Sequence, residues 1–567
     1  MTFVGVLMLA AAAASLPPDT IYFNGKIITV NDTFDVVEAV AIQSGRFVAV
    51  GSDEDVRPLA GASTRLIDLG GRTVLPGFYD NHIHLGPGRG LQRWKEGFIP
   101  AVAEWCADAD TMDKLMAALV AKARATSKGE WIRGGLTRPD WPNDKIPNRW
   151  QLDEVTTEHP VLLTRGPHTF ILNSLALELA GIDETTPDPE GGWIIRDANG
   201  LPSGRVLESA RRLVTRVLPP EPPVEFETGL QQMKLQLEQL MSLGVTSVNI
   251  AGVRPRGVRG VQELYSRWGA SLPRATMQIR LSPGHDSYDD AEEGIRNSIA
   301  ELESMGFRTG FGDHRLRLGA VKMSIDGGLS APIFWSLEPY KGKPGLYGAI
   351  RIPSDIFYPV AKRAHDLGWQ LGIHTMGDGA VVMVVDELER ILKESPRDDH
   401  RHYLHHVAVK PPEETLRKMA TLGIMVSSQP AFTVGLGGFA AEALTPDREA
   451  TQNPTKSLLD HGIRVSHGSD SAPYGPLLTI WTAVTRTGWQ GKVYGPEEAV
   501  SVEEAIRLHT IAPAYMTFEE DVKGSIEVGK LADMVVLDKD ILSITPARLR
   551  SIAVERTIVG GRELYRK

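Results

Sequence analysis

Two hydrophobic patterns divide the chain. Toward both ends, short β-branched runs are broken by Gly and Asn. Between them, such runs alternate with stretches of helical spacing. Ile21-Tyr22-Phe23-Asn24-Gly25-Lys26-Ile27-Ile28-Thr29-Val30 reads as a hairpin around Asn-Gly, and residues 39–50 read as a second. Residues 532–537 and 554–562 have the same style, with glycine turns. Strands this short cannot bury an apolar face alone, so one small β-sandwich built from both termini is expected.

The middle predicts a (β/α)8 barrel, an α/β fold. Its strand candidates are the run Thr73-Val74-Leu75-Pro76-Gly77-Phe78, then residues 244–250, 275–281, 316–325, 369–374, 401–406, 424–429 and 464–470. Stretches 227–242 and 354–367 have helical spacing. The interval 86–224 is too long for one βα loop and reads as an inserted subdomain rich in Trp, Pro and Gly. The expected divisions are therefore 19–72 and 515–567 for the sandwich and 73–514 for the barrel with its insertion.

The first residues read differently. Phe3 to Leu16 is an unbroken small and apolar run followed by Pro17-Pro18, which fits an export signal cleaved near Ala14 within 1–18. No Lys or Arg precedes the run, and it is shorter than the roughly 20 residues a membrane span needs. A periplasmic location follows if the segment is a signal, and a cytoplasmic one if it is not.

Composition narrows the function. Hydrophobic content of 42% and charged content of 23% are those of a globular protein. The net charge of −10 comes without any basic stripe, which argues against a nucleic-acid partner. Cys106 is the single cysteine, so neither an internal disulfide nor a thiolate metal cluster is available. A metal would have to be held by imidazole, carboxylate or a modified side chain.

Six residues at the carboxyl ends of the predicted strands supply such groups: His82, His84, Lys322, His374, His406 and Asp470. This is where a barrel builds its chemistry, one or two residues per strand. His82 and His84 are two apart, so on a strand they share a face. Two histidines ending successive strands, after a His-x-His, favour a shared ion over isolated structural roles. Asp470 could bind metal and take a proton from water, or cap a helix. Lys322 sits in an apolar run, where an unpaired charge costs several kcal/mol. Pairing with Asp326, an outward course and a chemical role all remain open from the residues alone.

Taken together, these segments resemble the amidohydrolase superfamily, and within it the amidohydrolase-3 family of YtcJ-like and N-substituted formamide deformylase-like proteins. The resemblance runs from about Asp19 to Tyr565 and is most specific in Leu75 to His84, Val321-Lys322 with Asp326-Gly327, His374 to Asp378, and Gly468-Ser469-Asp470. It implies a barrel with a composite sandwich, a centre of one or two Zn2+ ions or another divalent metal, and hydrolysis of a C–N bond. It also implies that Lys322 is carboxylated and bridges metals. Two departures stand out: His405-His406 where the family has Glu-His, and Gly166-Pro167-His168 where it often has Asp-Gly-His.

The chemistry expected is hydrolysis of a small amide, formamide or cyclic amide. A divalent ion lowers the pKa of water from 15.7 to about 7, and Asp470 relays its proton to the departing nitrogen. His168 and Asp326 are candidate substrate contacts. Trp131, Trp141 and Trp193 offer apolar surface that would wall the pocket and favour a neutral or aromatic amide, although core packing is the commoner role for any one of them. Two other functions compete: hydrolytic deamination of a heterocycle at the same centre, and a non-catalytic binding or regulatory protein on a hydrolase scaffold. A homo-oligomer is compatible with the sequence and not required by it.

Overall fold

The computed structural model describes residues 16–88, 90–136, 141, 145–220, 223–329, 334–470 and 473–567; the expected export signal lies almost wholly outside them. Eight strands form one parallel sheet in chain order: β1 (Phe78–Ile83), β2 (Val245–Val253), β3 (Arg274–Arg280), β4 (Leu316–Ser324), β5 (Leu371–Thr375), β6 (Tyr403–His406), β7 (Met425–Ser428) and β8 (Val465–His467). The last strand returns to the first. The Asp470 N–H donates to the His82 carbonyl at 2.8 Å, and the Ser469 N–H to Asp80 Oδ1 at 2.8 Å. Gly468 makes this approach possible, because a Cβ there would lie 2.5 Å from the His82 nitrogen.

The strand residues sort by period two. Along β3, Ala275, Met277 and Ile279 join the apolar layer beneath the helices, whereas Thr276 and Gln278 bond across the barrel interior. The covering helices follow the period of 3.6. In Asp378–Glu394 the buried positions Val381, Val384, Val385, Leu388 and Ile391 form one stripe, and Leu230, Met233, Leu237 and Leu240 do the same in Phe226–Met241.

One boundary differs from expectation. Thr73–Pro76 is not a barrel strand; it pairs with Lys26–Ile28 and Met534–Leu537 in a six-stranded sheet. The barrel strand begins after Gly77, so His82 lies within β1 rather than after it. The two strands meet at a tight joint, where a Cβ on Gly77 would fall 2.1 Å from Thr246 Oγ1. The first expected hairpin also divides. Thr20–Phe23 pairs with Ala39–Gln43 and Arg65–Asp68 in a four-stranded sheet, while Lys26–Ile28 crosses into the other. Asn24, at φ 55°, makes the corner that lets Tyr22 and Ile27 enter one core from opposite sheets. The second hairpin, Ala39–Gln43 with Arg46–Gly51, forms as read.

The C-terminal strand Met534–Leu537 serves two cores. Met534 and Val536 face the space between the two sheets; Val535 and Leu537 pack toward the barrel. A buried ion pair ties the units further, with Arg274 Nε at 2.6 Å and Nη2 at 3.0 Å from the Asp533 carboxylate. Within the inserted segment, Ile132–Gly135, Val161–Arg165, Thr169–Leu172, Pro202–Glu208 and Gly192–Arg196 form a five-stranded sheet. The hairpin Leu91–Trp94/Gly97–Pro100 stands apart from it.

Candidate metal centre

The barrel brings residues from five strand ends together. The possible ligand atoms of His82, His406 and Asp470 all lie within 4.8 Å of one another. Asp470 Oδ1 is 3.0 Å from His84 Nε2 and 3.5 Å from His82 Nε2, and Oδ2 is 3.8 Å from His406 Nδ1. Lys322 Nζ stands 3.1 Å from His82 Nε2. His374 is adjacent, its ring centroid 4.5 Å from that of His406. Its Nε2–H is given to the Gly327 carbonyl at 3.2 Å, which leaves Nδ1 as its lone pair.

Hydrogen bonds from below set the tautomers. Gln278 Nε2 donates to Asn249 Oδ1 at 3.1 Å, and this turns Gln278 Oε1 toward His405 Nε2 at 3.0 Å. Asn249 is oriented in turn by donating to Asn81 Oδ1 at 3.1 Å. The His405 proton therefore sits on Nε2, and His405 Nδ1 accepts from His82 Nδ1–H at 2.9 Å. His82 Nε2 is left as a free lone pair facing Lys322 and Asp470. In the same way Gln429 donates to the Ser427 carbonyl and takes His406 Nδ1–H at 2.6 Å, which leaves His406 Nε2 unprotonated.

Burial keeps these rings neutral. It holds His82, His374 and His405 well below the ordinary imidazole value, with further lowering from neighbouring Lys322 or His406, and brings His406 down to about 4. Lys322 is pushed down to about 7 by burial, against the pull of Asp470 and helped by Arg280 and Arg351. Burial would raise the Asp470 carboxyl, but the hydrogen bond from His84 and the basic groups around it, Lys322 among them, hold it below the ordinary aspartate value. Neutral imidazoles with directed lone pairs around an ionised carboxylate are the donor set a divalent cation requires, so the residues fit a metal. His406 at φ 74° and Asp470 at φ 47° adopt left-handed backbone that non-glycine residues rarely take, as happens where function overrides local preference.

The centre opens into a cavity of about 700 Å3 that His84, Lys322, His374, His406 and Asp470 help to line. His168 also lines it, with Nδ1 2.6 Å from Glu208 Oε1. Asp326 does not. It is fully buried, and its carboxylate accepts the backbone N–H groups of Met376, Gly377 and Trp335 at 2.8, 2.8 and 3.0 Å, so it braces the loops after β4 and β5 rather than a substrate. Trp131, Trp141 and Trp193 do not reach the cavity either. They pack in the inserted segment, Trp141 in its buried core, so they take the core role that was the commoner expectation and do not wall the cavity. Sequence reasoning passed over Gln278 and Asn249. The alternation of Thr276, Gln278 and Arg280 with apolar residues was the available signal.

Comparison with known proteins shows the family to which this fold belongs. The chain is 30% identical over 556 residues to N-substituted formamide deformylase of Arthrobacter pascens, spanning 96% of this chain and 97% of that protein. It is 28% identical to YtcJ of Bacillus subtilis (strain 168), over 96% and 99%. Among solved structures, an uncharacterised metal-dependent hydrolase from Pyrococcus horikoshii OT3 shares the fold at a TM-score of 0.67 and 22% identity, over 93% of this chain and 99% of that one. Residues 65–565 match the family model, and the chain belongs to the Amidohydrolase family.

Proposed function

We propose that this metal-dependent amidohydrolase cleaves the C–N bond of a small non-peptide amide, with Asp470 as the proton relay. The observation that carries the reading is the convergence of the Asp470 carboxylate with His82, His406, the Lys322 amine and the more exposed His84 in one cluster. The relative whose printed name is a formamide deformylase supports that bond type.

His82, His84, His374, His406 and Asp470 would hold the metal, and Lys322 would join them as a carbamate, formed when its neutral amine adds CO2 and loses a proton. A bound divalent ion, Zn2+ being the expected one, would polarise the amide carbonyl and acidify water. The protein's own part is proton management. Asp470, ionised and directed into the cavity, takes a proton from the attacking water and returns it to the departing nitrogen, which could not otherwise leave as an amine. His168, paired with Glu208 and lining the same cavity, would hydrogen-bond the substrate.

Asp470→Asn tests this. The variant is expected to lose about 10²- to 10⁴-fold in kcat on an amide panel scored by released amine. Full turnover with metal retained would remove the mechanism. We propose further that the chain is exported by its apolar N-terminal run; N-terminal sequencing of the mature protein, starting at residue 1, would refute that.

A further inference from the structure

The wall of the cavity beyond the metal centre is cationic. Arg165, Arg211, Arg212, Arg254, Arg280 and Arg351 line it, against the carboxylates of Glu208 and Asp286. Glu208 is already committed: Oε1 lies 2.6 Å from His168 and Oε2 lies 3.4 Å from Arg351. Arg212 is matched by Asp289 at 3.1 Å. Among the described residues, Asp286 makes no ion pair, and neither do Arg254 and Arg280. Asp286 nonetheless tempers the charge at Arg280 and Arg211.

Arg280 is the informative member. It ends β3 in register with Lys322 on β4, and a Cβ on Gly252 of β2 would touch both side chains, at 3.4 Å from Lys322 Cδ and 3.5 Å from Arg280 Cδ. Its Nε is buried and bonded to nothing, as is the Nε of Arg351. The Nε edge of a guanidinium is the one that grips a carboxylate with two parallel hydrogen bonds. Leaving such an edge dry and unpaired is costly. Burial accordingly lowers the pKa of Arg280, and the charge of Arg351 lowers it further. An arriving anion relieves both costs.

We propose that the substrate is an amide that also bears a carboxylate, taken up by Arg280 and Arg351 beside Lys322. The proposal rests on the amidohydrolase reading and replaces the neutral amide expected from the sequence. The carboxylate would sit one strand away from the centre that attacks the amide, so an N-acyl or N-formyl amino acid has about the right reach.

The test is a matched panel on the purified holoenzyme. N-formyl amino acids of varied side chain are compared with the N-formyl amines lacking the carboxylate and with the corresponding aminophosphonates, by kcat/KM and by calorimetric binding. The carboxylates are expected to lead by about 10- to 100-fold, the worth of a charge-assisted contact. Arg280→Gln is expected to collapse that ratio, mainly through KM, with metal content intact. Equal or better turnover of the amines, or a preference for the phosphonates, overturns the carboxylate while leaving the hydrolase standing. Calorimetric binding of the carboxylates without hydrolysis of any member sustains the anion site and removes the hydrolase. Loss of metal from Arg280→Gln, with all members slowed alike, shows that Arg280 serves the Lys322 carbamate instead and overturns the proposal.

Discussion

His82 Nδ1 donates to His405 Nδ1 across the barrel at 2.9 Å, and the second nitrogen of His405 is pinned by Gln278. An imidazole is thus the acceptor for the His82 N–H. The relay Gln278–His405–His82 has one consistent proton order, and that order exposes His82 Nε2 to the metal.

Replacing His405 by Phe removes the acceptor and frees His82 to rotate or change tautomer. Metal affinity is expected to fall about 10- to 100-fold, measured by chelator competition. His405→Glu restores an acceptor for the His82 N–H and should retain the metal. Equal retention by both variants would show that the relay does not orient His82.

Gly468→Ala places a methyl group 2.5 Å from the backbone that carries His82. The β8–β1 seam must then part, and both thermal stability and bound metal should drop together. A variant with wild-type Tm and metal content would mean that the seam is slack.

Much of the architecture was legible because each barrel strand shows an apolar face to the helices, whatever its interior holds. Val321 and Met323 mark β4 even though Lys322 interrupts them. The Thr73 run misled because Val74, Leu75 and Phe78 are apolar on both sides of Gly77, so nothing in the pattern separates two strands in different sheets. At the centre, the candidate ligands could be named because His, Lys and Asp at strand ends are chemically conspicuous. Gln278 and Asn249 could not, since their meaning depends on which neighbour the register supplies. The arginine wall was equally hidden: Arg211, Arg280 and Arg351 come from three distant segments and acquire a common purpose only in space.

Breaking the buried Arg274–Asp533 pair should cost about 3–5 kcal/mol, because Arg274→Ala leaves a carboxylate buried without its partner. Denaturant unfolding of the single variants and of the double variant Arg274→Met/Asp533→Leu checks this. The double variant should recover most of the loss, and failure to recover would assign the cost to packing alone.

Glu208 gives the protein an acid-side weakness. Burial would raise its carboxyl, but the charges of His168 and Arg351 outweigh burial and hold it at about 2 rather than 4.5. A depressed acid stabilises the fold above its unfolded value, so this contribution is present above pH 4.5 and disappears as pH falls toward 2. Its size is on the order of 3 kcal/mol. Glu208→Gln should flatten the fall in stability across that window, and an unchanged slope would refute the assignment.

The joint at Gly77 also sets a schedule. Thr73–Pro76, one residue upstream of the strand that carries His82, has Met534–Leu537 as a ladder partner. A ribosome that has released the whole barrel has still not made that partner. The anchor of the first histidine strand is completed only once Met534–Leu537 has been made, so seating of the centre waits until after the whole barrel has been synthesised.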